Sequence, residues 1–138
     1  MRRVVITGIG AVTPIGNDIP SFLQGLQDGK SGANLITKFD AELFKTKFAC
    51  ELKNFDYTTR LDRRAARRMD DFTVYGMVAT AEAMEMSGID LESIDLDRAG
   101  VIWGAGIGGL QTLETEVAAF STGNGTPRFN PFMIPKMI

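Results

Sequence analysis

Three glycines within residues 101–110, VIWGAGIGGL, have a spacing that many enzymes use to bind a nucleotide. Gly104, Gly106 and Gly109 form the pattern G-x-G-x-x-G after a short apolar run. In dinucleotide-binding enzymes this pattern joins a strand to a helix, and a later acidic residue binds the ribose. No Asp or Glu follows Glu116, and the segment beyond it is rich in Gly and Pro. A tight turn with close backbone packing is therefore favoured, and a dinucleotide site remains the alternative.

A second glycine-rich turn, TGIGAVTPIG, follows the first apolar segment of the chain. Its glycines Gly8, Gly10 and Gly16 have a spacing similar to that of the short-chain dehydrogenases. The residue order matches neither the T-G-x-x-x-G-x-G pattern of that family nor a phosphate-binding loop, which requires Lys followed by Ser or Thr. We interpret this stretch as a structural turn.

A group of arginines crowds into residues 60–68. The group comprises Arg60, Arg63, Arg64, Arg67 and Arg68. On one helix four of them (Arg60, Arg64, Arg67 and Arg68) would share a side, where like charges repel by roughly 0.3 kcal/mol per neighbouring pair. In a chain of net charge −2, this predicts an acidic partner: a phosphate, a nucleic-acid backbone or an acidic protein helix. The alternative is a solvated face that pairs with nearby carboxylates, namely Asp56, Asp62, Asp70 and Asp71.

The histidine and cysteine content of the chain argues against nucleophilic and metal-dependent catalysis. The chain has no histidine and a single cysteine, Cys50. The missing imidazole excludes Ser-His and Cys-His dyads and histidine metal sites within this chain. Cys50 has Lys47 and Lys53 nearby but no base, so we interpret it as an inert residue. We expect no metal site and no cofactor.

The composition predicts a soluble globular chain with one core. The 138 residues are 44% hydrophobic and 23% charged, which disfavours a disordered chain. The net charge of −2 argues against a general nucleic-acid or membrane binder. No apolar run approaches the roughly 20 residues that span a bilayer. Gly8, Gly10 and Pro14 interrupt the N-terminal apolar run, so we expect a cytoplasmic protein rather than a secreted one.

Apolar patterning and capping residues predict the secondary structure of the first 58 residues. Residues 2–7, RRVVIT, are β-branched and apolar and predict a buried strand. A helix is expected to begin at Asn17 or Asp18, with Pro20 in its first turn, and to end at the glycines of DGKSG. Residues 33–58 are irregular, with TKFACELKNF as a strand or extended segment.

Three further helices and a second strand are expected in the rest of the chain. Residues 58–70, TTRLDRRAARRMD, predict one helix, and residues 71–87 predict a longer helix that Gly88 ends. An acidic loop, LESIDLDR, leads to a buried strand at residues 100–103. Apolar residues at helical spacing then predict a helix; they are Leu110, Leu113, Val117 and Phe120. The turn-rich stretch STGNGTPRFNP follows, and the order of elements indicates a layered α/β fold.

Five segments, taken in order, resemble one protein family. They are RRVVITGIGAVTPIGND, GKSGANLITKFD, RRAARRMDDFTVYG, GAGIGGLQTLE and NPFMIPKMI. Together they are similar to the N-terminal part of the type II β-ketoacyl-acyl carrier protein synthases of the thiolase-like superfamily, over essentially the whole chain. Several motifs in the same order make this resemblance more specific than either glycine turn alone.

The resemblance implies a fatty acid elongating condensing enzyme, which joins an acyl thioester with malonyl-acyl carrier protein by decarboxylative Claisen condensation. It also implies a homodimer and a thiolase-like α/β/α/β/α sandwich. Residues 1–138 would form part of its N-terminal half, without an internal boundary. The family uses a nucleophilic cysteine and two histidines, whereas Cys50 does not occupy the nucleophile's place and histidine is absent. We therefore expect no catalytic residue here and an inactive N-terminal portion of a larger fold.

The resemblance assigns the arginines a partner. Arg64, Arg67 and Arg68 match a basic helix that docks the acidic acyl carrier protein in this family. Two other classes remain as alternatives to a condensing enzyme. One is a nucleotide-dependent oxidoreductase domain that uses residues 104–109, and the other is a non-catalytic module that docks an acidic protein through its arginines.

The resemblance also implies an acyl pocket. Ile107 matches the residue that lines and gates this pocket, and Gly108 belongs to the same wall. Phe132 and Met133 match a segment that reaches toward the partner subunit's acyl pocket. Family members commonly carry a second Phe where Met133 stands, and methionine is the more flexible side chain. The sequence therefore leaves the preferred acyl-chain length open.

Overall fold

The computed structural model describes residues 3–123 and 126–138. Its helices and strands are α1 (Ile19–Gln27), β1 (Asn34–Leu35), β2 (Phe48–Ala49), α2 (Arg63–Ala66), α3 (Asp71–Ser87), a 3-10 helix (Leu96–Arg98), α4 (Leu110–Thr122) and α5 (Met133–Met137). The chain divides into two compact units. The first unit comprises Met1–Asp56 and Val78–Gly88, and the second comprises Tyr57–Met77 and Ile89–Ile138. The expectation of one domain without an internal boundary stays a prediction.

Helix α1 begins where its capping signals place it. The Asp18 carboxylate accepts a hydrogen bond of 2.7 Å from the Ser21 amide, and the Asp18 amide donates to the Ser21 hydroxyl at 3.3 Å. This reciprocal capping box satisfies two groups that the first turn of a helix leaves open. Pro20 lies in the same turn, and Gly29 follows the helix with φ of 62°. The predicted start and end of this helix are confirmed.

A two-stranded antiparallel sheet forms the only regular pairing among the described residues. Asn34 lies opposite Ala49, and Leu35 lies opposite Phe48. The Ile36 amide extends the pairing by donating to the Lys47 carbonyl at 3.0 Å. The expectation of a strand or extended segment in TKFACELKNF is thus confirmed for β2.

Helix α3 carries a buried stripe at a spacing of four residues. Val74 and Val78 are buried, and so are two carboxylates, Asp70 just before the helix and Glu82 within it, each 8% exposed. Residues spaced by four share one face of a helix. Gly88 ends the helix with φ of 61°, so the predicted bounds of this helix are confirmed.

In the first unit, Glu82 fastens the glycine-rich turn TGIGAVTPIG to helix α3. Its two carboxylate oxygens accept hydrogen bonds from the Ala11 amide at 3.0 Å and the Ile19 amide at 2.7 Å. The backbone at Gly10 lies so close to the helix that a Cβ there would come within 1.9 Å of the Ala79 carbonyl oxygen. The interpretation of this stretch as a structural turn is confirmed.

Neither of the two predicted strands is present as a strand. The described residues 3–7 and 100–103 are extended or irregular without ladder partners, while Arg2 lies outside the described residues. Val4 is 92% exposed and Ile102 fully exposed, so the expectation that they are buried is also wrong. The reason is that a strand exists only where a second strand accepts and donates its backbone hydrogen bonds.

The expected helix over residues 58–70 is shorter than predicted. Asp62 accepts hydrogen bonds from the amides of Arg64 at 2.9 Å and Ala65 at 3.1 Å, and helix α2 therefore begins at Arg63. Arg60 lies in a preceding turn, where its amide donates to the Tyr57 carbonyl at 3.1 Å. The placement of Arg60 on one helix side with the other arginines is thus wrong, because Asp62 caps a new helix after it.

The predicted helix after the glycines is confirmed as α4, and the acidic loop LESIDLDR contains the short 3-10 helix. In the turn-rich stretch STGNGTPRFNP, Ser121 and Thr122 still belong to α4, and Asn124 and Gly125 lie outside the described residues. Of the helices in the described part of the chain, none has the length and apolar character that crossing a membrane requires.

Candidate functional site

The glycine loop, residues 104–109, leads directly into helix α4. Gly109 is the residue that precedes the helix, and Leu110 is its first residue. A Cβ placed on Gly104 or Gly106 would meet no atom within 4 Å. Two of the three glycines of the nucleotide-binding pattern thus fill no steric need in the described structure. The strand that a dinucleotide site requires before the loop is also missing from the described residues 100–103.

Gly108 and Gly109 are required by a close approach between the glycine loop and the end of α5. Gly108 has φ of 77°, and a Cβ there would lie 2.3 Å from the Met137 carbonyl oxygen. A Cβ on Gly109 would lie 2.6 Å from the Lys136 carbonyl oxygen. The Gly109 amide donates to the Met137 carbonyl at 3.0 Å. The paired glycines of IGGL, rather than the wider pattern, therefore fix this contact.

The four residues assigned to the acyl pocket lie near the two ends of α5. Phe132 precedes the helix and Met133 is its first residue, and both amides are held by Asn130 at 2.9 and 2.8 Å. Gly108 contacts the other end of the helix, at Met137. A rise of about 1.5 Å per residue separates Met137 from Phe132 by about 7 Å along the helix axis. Ile107 is 77% exposed. The structure thus brings Gly108 to the end of α5 and not to Phe132 or Met133.

The arginines Arg64, Arg67 and Arg68 lie exposed in and just after α2. The Arg68 guanidinium carbon lies 5.4 Å from the centroid of the Phe132 ring, a cation–π contact. One residue assigned to carrier-protein docking therefore contacts one residue assigned to the acyl pocket.

Three of the four carboxylates offered as partners for the arginines have other roles. Asp62 caps α2. Asp70 accepts from the amide and hydroxyl of Thr112. Asp71 accepts from the Tyr75 hydroxyl at 3.1 Å. Each of these three carboxylates thus binds a group other than an arginine, and the pairing of the arginines with nearby acids stays a prediction.

Sequence reasoning did not single out the two buried carboxylates as structural anchors. Asp70 and Glu82 each accept two hydrogen bonds from a segment far away in the sequence. A sequence pattern could have identified both carboxylates. Residues 70, 74, 78 and 82 recur every four positions and so share one helix face, which carries two valines between two acids. An acid on an apolar helix face requires local donors.

Cys50 is exposed and follows β2 in the first unit. The glycine loop, α5 and the arginines belong to the second unit. Among the described residues, no group of three or more acidic, cysteine or histidine side chains could hold a metal ion.

Solved structures with this fold define the class of protein. The chain superimposes on the ishigamide ketosynthase/chain length factor with a TM-score of 0.79 and 26% identity. It matches a β-ketoacyl synthase from Burkholderia phymatum with a TM-score of 0.77 and 25% identity. A type II polyketide ketosynthase, solved in complex with its acyl carrier protein and bound to the hexaketide, gives 0.76 and 28%. The chain is covered to 99–100%, and 34–35% of each structure is matched. The fold is thus part of a thiolase-like ketosynthase, which confirms the predicted fold class.

The sequence comparison identifies the family. The family described as "Beta-ketoacyl synthase, N-terminal domain" matches residues 1–138. This chain therefore belongs to the β-ketoacyl synthase family, and the resemblance found in the sequence is confirmed. Neither alternative class is favoured.

Three of the similar curated proteins have the name 3-oxoacyl-acyl-carrier-protein synthase 2. Those from Synechocystis, Staphylococcus aureus and Coxiella burnetii are 42%, 41% and 41% identical over 137 residues. Each alignment covers 99% of this chain and 33% of the relative. The chain thus spans about a third of the length of these relatives.

Proposed function

We propose that this chain is the N-terminal part of a condensing enzyme that elongates fatty acids. The observation that supports this most is the 41–42% identity to 3-oxoacyl-acyl-carrier-protein synthases 2, which extends over 99% of the chain. A local motif such as the glycine pattern would not produce similarity over the entire length. The proposed reaction is the decarboxylative Claisen condensation of an acyl thioester with malonyl-acyl carrier protein.

The proposed reaction has two halves. A cysteine thiolate outside residues 1–138 attacks the acyl thioester, forms an acyl-cysteine thioester and releases the carrier thiol. The malonyl group then loses carbon dioxide, and the electron pair of the broken carbon–carbon bond attacks the acyl carbonyl. The cysteine thiolate leaves, and the product is a 3-oxoacyl thioester two carbons longer than the starting acyl group.

The residues of this chain contribute binding rather than bond breaking in this proposal. Ile107 and Gly108 line the acyl pocket, and the exposed Ile107 side chain acts as its gate. Phe132 and Met133, at the start of α5, reach toward the acyl pocket of the partner subunit. The close backbone contact at Gly108 supports this role, because it holds Ile107 next to a fixed point of the second unit.

The proposed partner is an acyl carrier protein, which docks on Arg64, Arg67 and Arg68. Their exposure and the use of nearby acids elsewhere support this role. A structural neighbour of this chain was solved in complex with its acyl carrier protein. Guanidinium groups bind carboxylates and phosphates through paired hydrogen bonds. The homodimer and the cytoplasmic location are part of the same proposal.

The decisive experiment measures condensation directly. The complete enzyme that contains this chain is incubated with acyl- and malonyl-acyl carrier protein, and products are identified by mass spectrometry. We expect a 3-oxoacyl product two carbons longer, released with one carbon dioxide, and no product from residues 1–138 alone. An inactive complete enzyme, or saturable NADPH binding by this chain, would contradict the proposal.

A further inference from the structure

Helix α4 begins without a capping side chain of its own. Gly109 occupies the capping position and offers no side-chain hydrogen bond. The first turn of any helix has amides without intrahelical acceptors, and Asp, Asn, Ser or Thr at this position normally satisfies one of them. The start of α4 therefore needs an acceptor from elsewhere in the protein.

Gly109 cannot be replaced by a capping residue because α5 lies against it. A Cβ there would come within 2.6 Å of the Lys136 carbonyl oxygen and 2.7 Å of the Met137 Cα. The close contact between the glycine loop and α5 thus excludes a local cap.

Asp70 supplies the missing acceptor from 42 residues earlier in the chain. One of its oxygens, Oδ2, accepts the Thr112 amide at 3.0 Å and the Thr112 hydroxyl at 2.5 Å. Thr112 is the third residue of α4, which is a position whose amide a capping side chain ordinarily binds. Asp70 is 8% exposed, so water competes little for these bonds. The positive end of the helix dipole favours a carboxylate at this place.

We propose that Asp70 is a positioning residue for the acyl gate, and that it acts by capping α4 in place of Gly109. Its carboxylate holds the first turn of α4, while the Met137 carbonyl holds Gly109. Ile107 lies two residues before Gly109, so its position follows from these two anchors. The gate role of Ile107 rests on the proposed function, whereas the capping by Asp70 rests on the geometry alone.

The test uses the complete enzyme and two variants that remove or weaken the cap. Asp70→Ala removes the acceptor oxygen altogether, and Thr112→Val removes the hydroxyl donor but keeps the amide. Matched controls are Asp71→Ala on α3 and Thr115→Val on α4, whose hydroxyl donates to the Gln111 carbonyl at 2.8 Å. Thr112→Ser keeps both donors and should restore the wild-type behaviour.

The first measurement is hydrogen exchange of peptides that cover residues 104–116. We expect roughly tenfold faster exchange in the two cap variants, as for loss of a hydrogen bond to a charged group, and unchanged exchange in the controls. The second is the ratio of kcat/KM for a long and a short acyl thioester. This ratio is insensitive to the fraction of folded enzyme, and we expect it to change at least about threefold in the cap variants, as for about 0.7 kcal/mol.

The possible outcomes separate the two claims. Unchanged exchange in both cap variants overturns the capping by Asp70, whatever the enzyme's activity. Faster exchange with an unchanged selectivity ratio overturns the positioning role at the gate. A wild-type enzyme without condensing activity overturns the proposed function, and the exchange measurement still decides the capping.

Discussion

The two neighbouring glycines of IGGL show how single residues set the geometry of the glycine loop. Gly108 adopts a left-handed conformation and Gly109 packs against the backbone of α5, whereas Gly104 and Gly106 have open space around them. Only glycine adopts φ near 77° without strain. Glycine also leaves room for the Met137 carbonyl oxygen, which lies 2.3 Å from the place that a Cβ on residue 108 would take. The conformation of the loop therefore requires glycine at positions 108 and 109 but not at positions 104 and 106.

Replacing Gly108 with Ala should destabilise the protein by about 2 kcal/mol or more, because the added methyl group combines backbone strain with a clash. Gly104→Ala and Gly106→Ala are the matched controls, and each should change the free energy of unfolding by less than about 0.5 kcal/mol. Urea unfolding of the three variants measures the difference. Equal losses in all three would contradict the assignment of the contact to Gly108.

The sequence predicts those features of the fold and the site that depend on residues close together in the chain, and it does not predict contacts between distant residues. Capping by Asp18 and the helix ends at Gly29 and Gly88 depend on a few neighbouring residues, and these predictions are confirmed. The nucleotide pattern does not distinguish its glycines, because glycines that look alike in sequence have different surroundings in the structure. The link between Asp70 and Thr112 spans 42 residues, and no local pattern contains it.

At the scale of elements, the short helix α2 determines which arginines act together. Asp62 starts the helix after Arg60, so the exposed set in and just after α2 is Arg63, Arg64, Arg67 and Arg68. Sequence periodicity alone predicted one long helix because it contains no information on where a cap interrupts it. The same periodicity predicted α3 and α4 correctly, because no capping residue interrupts them.

Reversing the charge of Arg64, Arg67 and Arg68 to Glu should weaken binding of the acyl carrier protein at least about tenfold at low ionic strength, because attraction becomes repulsion. The matched control reverses three exposed cations outside α2, namely Lys30, Lys45 and Arg98, and changes the net charge equally. Calorimetric titration at two salt concentrations measures both. Equal weakening in test and control would show a general charge effect and contradict docking on α2.

At the scale of the whole molecule, two apolar segments in the described part of the chain are exposed. Val4, Ile6, Val101, Ile102 and Trp103 are all exposed. The sequence shows that both segments are apolar, but the strands that would pair with them are not among the described residues. Burial of such segments depends on distant parts of a fold, which is why a local pattern could not establish it.

The isolated 138-residue chain should therefore bind a hydrophobic dye and self-associate, because large exposed apolar patches are unfavourable in water. Fluorescence of anilinonaphthalene sulfonate and light scattering measure the two effects. Val4→Thr combined with Ile102→Thr should reduce both signals, while Thr126→Ser, an exposed control, should leave them unchanged. A monomeric chain without dye binding would contradict this expectation.

Glu82 has a consequence for how the first unit could vary between related proteins. Because its carboxylate binds the amides of Ala11 and Ile19 at once, both ends of the intervening loop are held by a single side chain. Loss of this carboxylate would release both ends of the loop together. Related proteins that keep the turn are therefore expected to keep a hydrogen-bond acceptor at this position of α3.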